Sequence, residues 1–366
     1  MDLKLNFQSA LDLLGLIQGL TLGILLLILN HRHFRSTYWL GLYLVLFSLK
    51  LLIFIPGGLD LDQQYPYLFL LPFNFSWLLF AVFFIYTQKI SIFSDQKIKY
   101  WLLYPGILSF VAQVIIYFQP YTVKVEISQS LMYILLFTYA GILYSWGVGL
   151  WNLRLLNRHK KEVENTFSEL ESKALFWVRI FLIYSLISSV FIHVLYLISP
   201  QNYYFKIIFS ILDLVAIYWI AINGLIQQNV LSTLSSKGPA RLTEYISGLM
   251  EEDNTDKGDT KDLEALMEQV DAYMRRSELF LNSDLTIVDL AEKLDLHPKK
   301  ISTSINTIAN QNFNSYVNEL RIKKAKRILE EAHSHNYSIE GIGKEVGFHS
   351  KSAFYAAFKK VTGTTP

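Results

Sequence analysis

The sequence predicts an all-α protein: a seven-helix transmembrane bundle followed by a cytoplasmic all-helical domain with two helix-turn-helix units. Three observations carry this. Apolar residues concentrate before about residue 228, in seven runs of about 20 residues. The chain turns polar and charged beyond that point. Near the C-terminus, helix-starting residues and a break at Gly347 mark out paired short helices. The 366 residues are 52% hydrophobic, 15% aromatic and 17% charged, too apolar for an ordinary soluble protein and too long for one core.

The apolar runs lie near 8–30, 37–56, 66–87, 100–119, 130–151, 174–199 and 205–228. At ~1.5 Å per residue, about 20 helical residues cross a hydrocarbon core of roughly 30 Å. Residues 1–7 lack the basic stretch of a cleavable signal, so the first run is expected to be retained. Pro72 and Pro105 interrupt two runs, which helix bundles tolerate when neighbours satisfy the freed backbone groups.

Positive charge orients the bundle. Arg32, Arg35, Lys89, Lys97, Lys99, Arg154, Arg158, Lys160, Lys161 and Lys173 fall in loops on one side, against Lys4, Lys124 and Lys206 on the other. Cytoplasmic loops carry the excess, which places the N-terminus outside and the C-terminus inside. His31 and His33 flank Arg32 and read as part of this signal.

Asp12, Lys50, Asn74, His193 and Asp213 sit within the runs, each about five to nine residues from the outer end of its span. Ionisable groups in lipid cost at least ~2.5 kcal/mol each, so these side chains should face the interior and find partners. Two readings stay open. They line an outward-opening site for an unknown ligand or membrane partner, or they form a structural network such as Lys50 with Asp213 or Asp12.

Residues 229–283 form a linker, acidic through Glu251–Asp259, in which helix resumes at 261–276. Leu263, Met267, Val270 and Met274 make one apolar stripe there, suited either to a homodimer contact through 261–276 or to packing on the chain's own C-terminal domain.

Residues 284–366 follow. Thr286 with Asp289 resembles a capping box. Pro298 suits the first turn of a second helix, 299–306. A longer helix, about 313–332, carries Ile322, Ala325, Ile328 and Leu329 on its apolar face and crowds Arg321, Lys323, Lys324, Lys326 and Arg327 together. Ser338 opens another helix, Gly347 ends it in the left-handed region, and Ser350 caps the last, with Phe354 and Phe358 inward.

These residues carry a resemblance. Two helix-turn-helix units joined by a central helix, with Arg321–Ala325, Ser338–Ile339, Gly347–Ser352, Phe358–Lys360 and Gly363–Pro366, resemble the AraC/XylS-type DNA-binding domain. The whole layout is similar to the membrane-anchored bacterial branch of that family, with multi-span sensors. The resemblance implies double-stranded DNA as partner. It also implies that Lys299, Lys300, Ser302, Thr303 and Asn306 face the groove from the first unit, and Lys351, Ser352 and Tyr355 from the second. Lys359 is placed for phosphate. Departures are Ala356 where the family has Arg, Gly343 for Ala, His297 for a capping Ser (expected to start its helix less firmly) and Asn310 for Gly. Family members usually continue into a short final helix, which this domain is expected to lack.

The predicted domains are therefore 1–228, 229–283 and 284–366. The last holds twelve Lys/Arg and nine Asp/Glu, a local net charge of +3. No cysteine is present, which excludes disulfides, thiolate metal sites and cysteine catalysis. No HExxH, phosphate-binding glycine loop or GxSxG elbow occurs, so neither an enzyme nor a cofactor is expected. The expected function is a one-component transcription regulator in the bacterial inner membrane. The alternative is a seven-span receptor whose degenerate helix-turn-helix domain contacts other proteins.

Overall fold

The computed structural model describes residues 6–29, 37–59, 61, 65–94, 96–171, 173–199, 202–227, 260–331 and 338–366. Lys4, the loop holding His31, Arg32, His33 and Arg35, and linker residues 229–259 lie outside the described residues. The chain divides into two compact units: Met1–Asn157 with Leu175–Asn229, and Arg158–Ala174 with Val230–Pro366. The sequence had placed 158–174 within the first domain; its contacts group it with the second.

The first unit contains α1 (Phe7–Leu29), α2 (Thr37–Leu49), α3 (Leu79–Ile90), α4 (Tyr104–Tyr117), α5 (Tyr121–Gln129), α6 (Gly141–Thr166, whose last nine residues belong to the second unit), α7 (Phe176–Ile198) and α8 (Tyr203–Ile226). Among the described residues, five helical stretches are long and apolar enough to cross a membrane: Phe7–Leu29, Tyr100–Tyr117, Leu131–Thr166, Phe176–Leu195 and Tyr203–Ile226. The runs expected at 37–56 and 66–87 form only the shorter apolar helices Thr37–Ile53 and Leu79–Ile90.

Proline explains much of the third run. Pro66 starts a short 3-10 turn, Leu70 takes φ +57°, and regular helix begins only at Leu79. Side chains satisfy the irregular backbone between. The Lys124 ammonium donates to Phe69 O at 2.8 Å, and the Gln113 amide both donates to Asn74 O at 2.9 Å and accepts from Asn74 N at 3.0 Å. Ser145 Oγ donates to Ser76 O.

Small residues let α1 and α2 approach closely. A Cβ on Gly41 would stand 2.8 Å from Gly23 O, and one on Gly23 would stand 3.1 Å from Gly41 O. Close backbone approach of this kind is how helices associate where lipid removes the hydrophobic drive. Leu40, Leu44, Phe83, Val178, Ile217 and Ile220 form the core.

The second unit contains α9 (Thr260–Ser277), α10 (Ile287–Leu294), α11 (Pro298–Ile308), α12 (Phe313–Glu331), α13 (Ile339–Glu345) and α14 (Lys351–Thr362). The α9 stripe turns onto its own unit: Val270 and Met274 are fully buried, and Ser304 Oγ of α11 donates to Leu263 O at 2.8 Å. Ile322 and Ala325 of α12 pack with Ile342, Val346, Phe348, Phe354 and Phe358. Burying each large side chain contributes about 1.5–3 kcal/mol.

Candidate nucleic-acid interface

Local chemistry shapes two short helix pairs. In the first, Thr286 Oγ1 accepts from Asp289 N at 3.2 Å while Asp289 Oδ2 accepts from Thr286 N at 2.8 Å, a reciprocal box that starts α10. Asp295 ends that helix at φ +52°. His297 Nδ1 then accepts from Lys299 N at 3.2 Å, so the histidine caps α11, correcting the expectation of a less firm start. Ile301 and Ile305 face inward with Ser304. At ~100° per residue the opposite side of α11 holds Lys299, Thr303 and Asn306.

The second pair repeats the layout. Ser338 Oγ accepts from Gly341 N at 3.0 Å, and Ser350 Oγ accepts from Ala353 N at 3.3 Å. Between them Gly347 takes φ +96°, a conformation that costs an L side chain roughly 1–2 kcal/mol. Phe354 and Phe358 fill the core, leaving Lys351, Ser352 and Lys359 exposed on α14.

Residues 290–366 match the family model described as "Helix-turn-helix domain". Residues 290–366 are an AraC-type helix-turn-helix domain. No curated protein and no solved structure matches the chain. The match supports a DNA-binding transcription regulator with double-stranded DNA as partner.

Within this AraC-type domain, the residues expected at DNA fall into two groups. On α14, Lys351 and Ser352 are exposed and Tyr355 is half-buried, with the Lys351 ammonium 5.6 Å from the Tyr355 ring centroid; Lys359 is exposed. On α11, Lys300 and Asn306 are exposed, Lys299 and Thr303 half-buried, and Ser302 buried. Asn306 Nδ2 donates to Ser302 Oγ at 3.2 Å and stands 3.4 Å from Asn165 Oδ1. Ala356 is exposed, one helical turn from both Ser352 and Lys360. Gly343 suits its neighbour, since a Cβ there would stand 3.0 Å from the Phe354 ring. Asn310 takes φ +50°, as a residue replacing glycine must.

One basic residue is not a surface cation. Arg321 is fully buried; Nε donates to Phe280 O at 2.7 Å, and Nη2 to Asn282 O at 2.8 Å and to Ser168 Oγ at 3.2 Å. Burial pushes its pKa down to about 10, so it stays charged at neutral pH.

The polar residues of the first unit separate by partner. Lys50 Nζ lies 3.1 Å from Asp213 Oδ2, with Asp12 in electrostatic reach of both. Asn74 instead donates to Phe137 O and binds Gln113, and His193 Nδ1 meets Ser189 O within its own helix. Among the described residues no group of His, Asp and Glu is placed to hold a metal ion.

Proposed function

We propose that this chain is a membrane-bound one-component transcription regulator, coupling a signal at its apolar helices to sequence-specific DNA binding. The observation that carries the reading is the union, in one chain, of an AraC-type domain with five helical stretches able to span a bilayer. The two shorter apolar helices complete seven crossings. At 12 residues, Leu79–Ile90 spans roughly 18 Å, so its crossing includes the irregular stretch 66–78. Non-helical backbone at membrane depth is tolerated where protein satisfies it, which Lys124, Gln113 and Ser145 do.

Seven crossings with positive loops inside put the N-terminus outside and the DNA-binding domain in the cytoplasm of a bacterial inner membrane. α11 and α14 then enter successive major grooves, with Lys299, Lys300, Thr303, Asn306, Lys351, Ser352 and Tyr355 at base edges or phosphates and Lys359 on phosphate, while Ser302, expected at the groove, is buried and instead holds Asn306. Asp12, Lys50 and Asp213 form the most concentrated polar site at which a ligand could act. It would act by binding one packing of the helices better than another.

Topology reporters fused at about residues 60, 124 and 230 test the arrangement. External signals at the first two and an internal signal at the third support it. An external signal at the third refutes it, because the domain could not reach DNA. A protein-interaction role for the C-terminal domain is the second reading, favoured by Ala356 where the family carries a cation. Absence of salt-dependent DNA binding would select it.

A further inference from the structure

Residues 158–174 lie between two apolar runs in the sequence, yet they are built into the DNA-binding unit. Phe167, 2% exposed, forms an antiparallel β-bridge with Thr286, and Ser168 N donates to Leu285 O at 3.0 Å. Asn314 Nδ2 donates to Ser168 O at 2.7 Å, and the buried Arg321 guanidinium reaches Ser168 Oγ. These bonds reach across more than one hundred residues of chain and tie the segment to α10 and α12 by buried polar groups.

The end of α6 meets α11 and the turn just before α12. Asn165 Oδ1 accepts from Asn306 Nδ2, and Glu164 Oε2 accepts from Asn312 Nδ2 at 3.2 Å. Glu162 interacts electrostatically with Lys299. On a helix whose core positions are Ile301 and Ile305, Lys299 and Asn306 lie on the opposite, outward side. That is the side a recognition helix presents to a groove.

We propose that residues 162–165 and duplex DNA compete for one surface, so that segment 158–174 is an intramolecular clasp closing the first recognition helix. The inference rests on the DNA-binding reading above. Its chemistry is substitution: the Glu164 carboxylate accepts from Asn312 and Glu162 interacts electrostatically with Lys299, where phosphate oxygens would otherwise supply acceptors and negative charge. Lys351 and Ser352 are exposed, so the second recognition helix presents them while the first is closed. The clasp is the end of α6, whose earlier turns carry an apolar run, and its release is the step a signal at the apolar helices would control.

The test uses the full chain in lipid nanodiscs and a 40-base-pair duplex selected from a randomised pool. At limiting duplex wild type should protect only the α14 groove, opening α11 to DNA only at saturating duplex. Glu162→Gln/Glu164→Gln/Asn165→Ala, altered only outside the DNA-facing set, should protect two and bind about tenfold tighter. Equal affinity and equal footprints overturn the clasp.

Cross-linking keeps the test independent of folding defects. The chain has no cysteine, so Glu164→Cys with Asn312→Cys, both outside the DNA-facing set, offers one pair to a short bifunctional thiol reagent. Saturating duplex should slow cross-linking at least about tenfold, and the cross-linked protein should keep only the α14 groove. Cross-linking unaffected by DNA, or a two-groove footprint after cross-linking, overturns the proposal. If no variant binds any duplex even at low salt, the DNA-binding reading itself fails, and the clasp with it.

Discussion

Gly347→Ala against Gly363→Ala separates backbone strain from steric clash around the α13–α14 helix pair. Both glycines are left-handed, at φ +96° and +82°. A left-handed L residue costs roughly 1–2 kcal/mol, which is the whole expected effect at Gly363, where an added Cβ meets nothing within 4 Å. At Gly347 the Cβ would stand 2.6 Å from Leu281 O and 3.1 Å from Arg321 Nε. Neither yields easily. Leu281 lies between Phe280 and Asn282, whose carbonyls both accept from Arg321, and that guanidinium is fully buried. Forcing a methyl into such packing costs about 1–3 kcal/mol more, so Gly347→Ala should lose roughly 2–5 kcal/mol. Hydrogen exchange of the amides of Ile342, Val346, Phe354 and Phe358, in the full chain in nanodiscs, reads this opening free energy directly. Equal protection loss in the two variants would refute the argument, because it would mean that the contact with Leu281 O carries no cost.

Three further outcomes are expected. Arg321→Lys should destabilise the second unit by about 2–4 kcal/mol, since an ammonium cannot serve the acceptors of Phe280, Asn282 and Ser168 in one fork. Thermal unfolding followed in that unit checks it, and an unchanged midpoint contradicts it. Lys50→Met and Asp213→Asn should each change reporter output more than the double variant does, because each leaves a partner unpaired beside Asp12. Normal output at normal protein level from both single variants would remove the polar site from the mechanism. Glu319 is held below its ordinary value of 4.5 by the Gln311 amide and Lys323. Its stabilisation is therefore complete above that value and lost as pH falls through the lower folded value. Glu319→Gln should flatten the acid side of the stability–pH profile of the second unit; an unchanged profile contradicts this.

Local chemistry was legible from the sequence. The Thr286–Asp289 box, the Ser338 and Ser350 caps, Pro298 and Gly347 act within a few residues, and each appears where expected. So did the inward faces of Phe354 and Phe358 and of Ile322 and Ala325, which helical spacing predicts; that they pack on one another it does not. What was not legible depends on distant chain. Arg321 looked like one more cation in a basic run; its burial is set by carbonyls about forty residues earlier. The segment 158–174 read as a charged loop because its partners lie beyond residue 280. Two features of the sequence do bear on the apolar helices. Gly15, Gly19 and Gly23 recur every four residues along α1, with Gly19 and Gly23 on the close face toward α2 and Gly15 against Leu51 just beyond it. The clustering of Pro66 and Pro72 argued against a continuous third helix.

The central claim is that the C-terminal unit reads duplex DNA, and competition binding by the full chain in nanodiscs tests it most directly. A selected duplex is compared with a random one across salt. Lys351→Ala and Ser352→Ala should weaken binding to the selected duplex by about 1–3 kcal/mol and leave the random duplex nearly unaffected. Lys359→Ala should weaken both and lower the salt slope by about one unit. Losses spread equally over both duplexes for all three variants would contradict the assigned roles, and wild-type binding without salt dependence or sequence preference would contradict the claim itself.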